Sequence, residues 1–132
     1  MIKRIIHIGV VVEDFDGAVN KFKEFGLTCD EINEGPTKGD RIAFFPVGDT
    51  SIEFLSFAPS KGSDTTLNLV RSQKGPINHL CFEVDNLEAT IRDFEHKGAR
   101  LLEGCPRPGA HGRVAFFYPE TTEGILIELC QL

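Results

Sequence analysis

Two histidines and two glutamates recur at matched places in this chain, and their side chains suit a metal ion. The first half of the chain contains His7 and then Glu53, each within an apolar, strand-like run. His79 and Glu128 follow in the second half, in the same order, in similar runs and at nearly the same offset. Because side chains alternate along a strand, the apolar neighbours of each glutamate point to one face and its carboxylate points to the other. Two imidazoles and two carboxylates that met on one face would form a nitrogen and oxygen site for a divalent transition metal.

Each of these residues also has an ordinary structural interpretation. A single histidine in a strand is more often a hydrogen-bonded core or rim residue, and a single glutamate in a strand more often faces water. The matched spacing favours the metal site, because carboxylates on one concave face repel each other and a cation relieves that repulsion. For any one residue taken alone, both interpretations stay open.

The elements that must position these residues come as two copies of one module. The shift that carries the first histidine onto the second also places Arg41–Phe45 on Arg113–Phe117 and Gly26 on Gly98. A repeat this long with so few copies indicates a duplicated module rather than a solenoid. We expect one domain with module one at about 1–58, a linker at 59–75 and module two at about 76–132.

Each copy has the signals of a strand, a helix and three further strands. Asp14 and Asn86 are suited to cap the start of a helix, and Gly26 and Gly98 are suited to end it. The predicted strands are 5–12, 27–33, 41–47 and 51–57, then 77–84, 99–105, 113–118 and 124–130. The linker has a short helical pattern at 65–72. A module of this size buries little core alone. The predicted fold is therefore α+β, with two tandem βαβββ modules forming one curved, cupped mixed sheet and helices on its outer face.

Composition excludes several classes of protein. The 132 residues carry 14 Lys and Arg against 20 Asp and Glu, a net charge of −6, which argues against a nucleic-acid surface. No segment approaches the roughly 20 apolar residues of a membrane span, so we expect no membrane partner. The four cysteines lack metal-site spacing and are typical of free thiols in the cytoplasm.

Four stretches of sequence resemble one superfamily. They are His7–Val12, Phe45–Leu55, Asn78–Asp85 and the pair Pro108–Gly112 with Gly124–Leu129. Together they resemble the vicinal oxygen chelate superfamily, which includes glyoxalase I and bleomycin-resistance proteins, and they are most like its methylmalonyl-CoA epimerase branch. The resemblance implies metal ligation by His7, Glu53, His79 and Glu128, with cobalt, nickel, zinc, manganese or magnesium as the ion. It also implies a homodimer.

The activity that this resemblance implies is isomerisation. A metal-dependent isomerase of this kind removes a proton next to a carbonyl, with Glu128 or Glu53 as the catalytic carboxylate. The substrate would be an acyl-CoA or a thiol adduct. Two alternatives are a glyoxalase I-type lactoylglutathione lyase and a metal-free binding or resistance protein of the same fold.

Three positions depart from the epimerase pattern. Asn78 replaces the first of two successive histidines, Tyr118–Glu120 replaces His-Pro-Lys, and Ile42 stands where some relatives carry a second glutamate. These departures bear on the thioester substrate more than on the metal.

Arginines are the candidates for binding an anionic part of the substrate. Arg107, Arg113 and Arg41 are the predicted substrate residues. Arg107 begins a glycine-containing loop, 107–112, that either closes over a ligand or turns the chain in solvent. His111 in that loop is predicted to lie at the rim rather than to bind the metal.

Overall fold

The helices and strands follow the repeat. The computed structural model describes residues 1–35, 37–59, 62, 64–73 and 76–132. The strands are β1 (Ile2–Val11), β2 (Glu31–Glu34), β3 (Arg41–Val47), β4 (Thr50–Ser56), β5 (Ile77–Val84), β6 (Arg107–Pro108), β7 (Arg113–Phe116) and β8 (Ile127–Gln131). The helices are α1 (Phe15–Glu24), α2 (Thr65–Ser72) and α3 (Leu87–His96), and a 3₁₀ turn spans Pro119–Thr121.

The predicted helix boundaries of both modules are confirmed. The side chain of Asp14 accepts a hydrogen bond from the backbone N–H of Gly17, and that of Asn86 accepts one from Ala89, each at 3.0 Å. Each cap satisfies a backbone donor that has no partner inside the helix. Gly26 lies just beyond α1 with a φ of +101°, a conformation that side chains larger than hydrogen disfavour.

One sheet joins the two modules. Its strand order is β2-β3-β4-β1-β5-β8-β7-β6, so the first strand of each module lies at the centre. The two central strands, β1 and β5, pair antiparallel, while β1 with β4 and β5 with β8 pair parallel. The predicted fold class, a curved mixed sheet built from two βαβββ modules, is confirmed.

Two clusters of the hydrophobic core lie between the sheet and helices α1 and α3, and a third includes Cys81, Val114 and Phe116, against which Leu69 and Val70 of α2 pack. Under α1, Phe15 and Val19 pack against Ala43, Phe45 and Phe54, which lie on β3 and β4. An equivalent cluster under α3 contains Leu87, Ile91, Ala115, Phe117 and Leu129. Because side chains alternate along each strand, the residues between these point to the other, concave face.

Several predicted segments differ from the structure, and β1, β7 and β8 do so only in their bounds. The strand predicted at 99–105 is wrong: Leu101 makes a single antiparallel bridge to Phe117, and the chain turns at Gly104, whose φ is +82°. β2 is shorter than predicted, and the short strand β6 lies where a loop was expected. The linker helix is confirmed as α2 at its predicted bounds. Residues Ser60, Lys61, Ser63, Lys74 and Gly75 of the predicted linker lie outside the described residues.

Two further findings concern the helices and cysteines. Within the part of the chain that the structure describes, each helix is too short and too polar to cross a membrane. All four cysteines belong to that part, and all are free thiols, with Cys81 and Cys130 buried.

Candidate active site

The register of the central strands brings the four predicted ligands together. One row across the sheet contains Glu53 on β4, Gly9 on β1 and His79 on β5. The next row on the same face of the sheet contains His7 on β1, Cys81 on β5 and Glu128 on β8. The rows are related by the internal repeat, since the shift that carries His7 onto His79 also carries Gly9 onto Cys81. Each row therefore supplies one imidazole and one carboxylate from opposite modules.

The four side chains meet around the Nε2 atom of His7. This atom lies 2.6 Å from Glu53 Oε2, 2.9 Å from His79 Nε2 and 3.1 Å from Glu128 Oε2. His79 Nε2 lies 3.3 Å from Glu128 Oε2. The side chains are at most 13% exposed. A ring nitrogen carries at most one proton, so His7 Nε2 cannot satisfy three acceptors at once.

Two details show that this cluster fits a metal ion. Glu53 Oε2 is buried and has no hydrogen-bond partner among the described residues, despite its closeness to His7. Asn78 donates from its Nδ2 to the carbonyl of Val70 at 2.8 Å, so its Oδ1 accepts from His79 Nδ1 at 2.7 Å. With its proton on Nδ1, His79 presents a lone pair on Nε2, which is the tautomer a metal ligand needs.

The charges of the cluster are coupled. Burial lowers the pKa of His7, but the hydrogen bond with Glu128 and the adjacent carboxylate of Glu53 outweigh it and raise this pKa to about 10. Burial raises the pKa of Glu128, but hydrogen bonds with His7 and His79 outweigh it and lower this pKa to about 2. The two carboxylates therefore stabilise a proton on His7, and its positive charge offsets their negative charge. A metal cation at the same place would offset that charge in the same way.

Gly9 makes room for the His79 ring. A Cβ atom at this position would lie 2.4 Å from Cε1 and 2.6 Å from Nδ1 of His79. Contacts of that length do not occur between nonbonded atoms, so the imidazole can lie across β1 only where the residue beneath it has no side chain. The glycine is thus part of the site's geometry.

The cluster faces a cavity of about 430 Å³ on the concave side of the sheet. Most of its wall is apolar, including Ile42, Phe44, Leu55, Val70, Val114 and Phe116. Ile42 and Phe44 alternate on β3 with the core residues Ala43 and Phe45, which is why they reach the cavity. A largely apolar cavity with a few convergent polar groups is the usual form of a small-molecule site.

Comparisons with known proteins agree with this arrangement. The family model of the glyoxalase, bleomycin resistance protein and dioxygenase superfamily matches residues 6–117. The chain belongs to this superfamily. It is 33% identical to the mitochondrial methylmalonyl-CoA epimerase of Mus musculus, over 97% of this chain and 72% of the relative. It is 32% identical to an ethylmalonyl-CoA/methylmalonyl-CoA epimerase of Cereibacter sphaeroides over the whole of both chains.

A solved structure gives the same result. The crystal structure of methylmalonyl-CoA epimerase from Mycobacterium tuberculosis superposes with a TM-score of 0.78 at 25% identity, over 98% of this chain and 88% of that one. The resemblance seen in the sequence motifs is confirmed.

Only one of the three arginines predicted to bind substrate lines the cavity of this superfamily member. Arg107 lines it, but its guanidinium donates to both carboxylate oxygens of Asp64, at 3.0 and 2.7 Å. Asp64 caps α2 by accepting from the backbone N–H groups of Thr66 and Leu67. Arg107 therefore ties β6 to the start of α2.

The other two arginines lie on the helix-covered face. Arg41 pairs with Asp16 of α1 at 3.1 Å, and Arg113 pairs with Glu88 of α3 at 2.5 Å. Both follow from strand alternation, since Arg41 shares a face with Ala43 and Arg113 shares one with Ala115. His111 lines the cavity, where its ring meets Phe44 at a centroid distance of 5.8 Å, and it is not one of the group His7, His79 and Glu128 whose ligand atoms could share one ion.

Sequence reasoning missed one buried ion pair in the cavity wall. Arg71 of α2 pairs with Asp40 at 2.7 Å, and the two side chains are 8% and 1% exposed. α2 lies between the modules and has no copy in either, so the repeat did not point to Arg71. A signal was present in the helical spacing, which places Arg71 beside the cavity residues Leu67 and Val70.

Proposed function

We propose that this protein is a metal-dependent isomerase that moves a proton at the carbon next to a thioester carbonyl, as an epimerase of the methylmalonyl-CoA type does. The observation that carries the proposal is the convergence of His7, Glu53, His79 and Glu128 on one apolar cavity. Full-length similarity to methylmalonyl-CoA epimerases supports it.

His7, Glu53, His79 and Glu128 would hold the metal. The donors are two imidazole nitrogens and two carboxylates, a set that suits cobalt, nickel, zinc, manganese or magnesium. When bound, a divalent cation supplies Lewis acidity that stabilises negative charge on a nearby carbonyl oxygen. Two features favour a cation here: a buried Glu53 oxygen that has no hydrogen bond to any described residue, and the His79 tautomer set by Asn78.

The same two carboxylates are the groups that would move the proton. The cavity is lined by three carboxylates among the described residues, and of these Glu34 is exposed whereas Glu53 and Glu128 are buried. Glu53 lies on β4 and Glu128 on β8, on opposite sides of the central β1 and β5 pair. A substrate carbon seated over that pair would meet one carboxylate from each side. Such an arrangement suits removal of a proton from one face and its return to the other, which is epimerisation.

The apolar wall is consistent with an acyl substrate. Ile42, Phe44 and Leu55 would exclude water from the carbon that loses its proton. Water exclusion also strengthens the electrostatic interactions of the buried glutamates. The proposed partner is therefore a small acyl-CoA thioester.

The test is the variant Glu128→Gln, which keeps the shape of the side chain and removes its charge. The assay follows incorporation of deuterium from solvent at the 2-position of methylmalonyl-CoA. We expect exchange to fall by at least about 10²-fold while the circular dichroism spectrum is unchanged. Glu95→Gln, an exposed glutamate of α3, is the matched control and should exchange at the normal rate.

Two results would contradict the proposal. Full exchange in the Glu128→Gln variant would remove Glu128 from the chemistry. Absence of exchange in the unchanged protein, together with turnover of the glutathione adduct of methylglyoxal, would assign a lyase instead.

We propose further that the protein is a cytoplasmic homodimer. Its four free thiols support a reducing compartment. Exposed Ile2 and Ile5 on β1 and Ile77 on β5 supply apolar surface that a second copy would cover. Light scattering coupled to size-exclusion chromatography tests the dimer, and a monomer mass at micromolar concentration would refute it.

A further inference from the structure

Arg71 lies in the last turn of α2, and its side chain lines the same cavity as the His and Glu cluster. Its Nη2 atom donates to Asp40 Oδ2 at 2.7 Å and also to the hydroxyl of Thr37. Asp40 is held in turn by the backbone N–H groups of Thr37 and Ala58, at 3.2 and 2.7 Å. One end of the guanidinium is therefore fixed by a buried, fully bonded carboxylate.

Among the described residues, the other nitrogens of this guanidinium make no hydrogen bond, and its Cζ atom lies 5.8 Å from the ring centroid of Phe57. An arginine offers five N–H donors, and all the hydrogen bonds of Arg71 in the described part of the chain come from Nη2. The side chain is only 8% exposed, and its buried Nε atom has no hydrogen-bond acceptor among the described residues. Buried donors without acceptors are rare in folded proteins, and a water, an ion or a ligand atom that enters the cavity would supply the missing acceptor.

The other arginine of the cavity is more exposed, with 30% of its side chain accessible, so its remaining donors can bind water. Arg107 gives two of its donors to Asp64 across the rim. The residues beside Arg71 in the wall, such as Leu67, Val70 and Phe57, offer no side-chain acceptor. Arg71 is thus positioned by Asp40 in the wall of a largely apolar cavity, and a charged hydrogen bond to a ligand is strongest in such surroundings.

We propose that Arg71 binds an anionic oxygen of the substrate and so selects acyl thioesters that carry a further negative group. This inference rests on the proposed function and specifies its substrate class. The anionic oxygen would belong to a carboxylate on the acyl group or to a phosphate of coenzyme A. Both present oxygens that can accept a charged hydrogen bond from the guanidinium N–H groups that Thr37 and Asp40 do not occupy.

The test uses Arg71→Lys, which keeps the positive charge beside Asp40 but removes the Nε and Nη1 donors. Dissociation constants are measured by calorimetry on metal-loaded protein for methylmalonyl-CoA, for propionyl-CoA, which lacks the carboxylate, and for the methylmalonyl thioester of N-acetylcysteamine, which lacks the phosphates. Arg41→Lys is the matched control, because Arg41 is also paired with an aspartate but lies on the helix-covered face. It should bind all three ligands as the unchanged protein does.

If Arg71 binds the carboxylate of the acyl group, Arg71→Lys should weaken the binding of both methylmalonyl ligands by about 10-fold to 100-fold and leave the binding of propionyl-CoA unchanged. If Arg71 binds a phosphate of coenzyme A, the variant should bind the two CoA ligands more weakly and the N-acetylcysteamine thioester as tightly as the unchanged protein does. The ratio of constants within one variant does not depend on the fraction of protein that is folded, so a loss of stability cannot imitate either result.

Equal binding by Arg71→Lys and the unchanged protein, or an equal loss for all three ligands, would overturn the inference and leave the proposed function intact. Failure of the unchanged protein to bind any of the three ligands would instead overturn both. Deuterium exchange in the unchanged protein distinguishes these cases, since it reports the proposed function without reference to Arg71.

Discussion

Replacing Gly9 by alanine should disrupt the metal site without touching any ligand. The new Cβ would lie 2.4 Å from Cε1 of His79, whereas ordinary contacts begin at 3.4 Å, so the ring must move by about 1 Å. Metal ligands tolerate displacements of only about 0.2 Å. The ring is also held by Asn78, so it cannot move freely. We expect affinity for a divalent ion to fall about 100-fold, or about 2.7 kcal/mol.

The assay is calorimetric titration of metal-free protein with Co²⁺ or Zn²⁺. Gly62→Ala is the control, because this exposed glycine has no atoms within 4 Å of the added Cβ among the described residues. It should bind metal as the unchanged protein does. Circular dichroism establishes that Gly9→Ala is folded. A folded Gly9→Ala variant that binds metal with normal affinity would refute the idea that His79 must lie across β1.

Three further predictions concern pH and the core. The pKa of His7 is raised to about 10, so a metal ion must displace the proton of His7 when it binds. In calorimetric titrations the apparent affinity for the metal should therefore rise about tenfold per pH unit from pH 7 towards 10. A metal affinity that does not depend on pH would contradict this. The pKa of Asp64 is lowered from 3.8 to about 2 by its hydrogen bond with Arg107. Its stabilisation is therefore complete above about pH 4 and is lost as pH falls towards 2, a change of at most about 1 kcal/mol after solvent screening. Urea titrations should show a loss over this pH range that is larger, by about this amount, in the unchanged protein than in Arg107→Gln. Phe45→Ala should lower the free energy of unfolding by about 3–5 kcal/mol, because this ring is fully buried under α1; a loss below about 1 kcal/mol in urea titrations would contradict that packing.

Local patterns were sufficient to predict most of the fold. The caps at Asp14 and Asn86, the helical spacing that follows them and the turn glycines are properties of neighbouring residues, and the corresponding helices form as expected. The strand at 99–105 failed because its apolar residues are interrupted by Gly104, which turns the chain before a ladder can form. The apolar residues of this segment therefore predicted a strand where the turn at Gly104 prevents one.

Strand alternation also predicts which face of the sheet each candidate site residue occupies. Applied to Glu53 and Glu128, it placed both carboxylates on the concave face, where the structure has them. Applied to Arg41, it would have placed that side chain with Ala43 and Phe45 against α1 rather than in the cavity. The error came from treating charge as the sign of a binding residue before considering the face on which it lies.

What the sequence determined by itself is the candidate set of metal-binding residues and their pairing, because duplication repeats each strand with its His or Glu at the same point. What only the tertiary structure decided is the surroundings of that set: the place of His79 over Gly9, the tautomer set by Asn78 and the burial of Arg71 beside the cavity. These depend on contacts between segments far apart in the chain, and a helix that belongs to neither repeat takes its orientation from packing that no local pattern specifies.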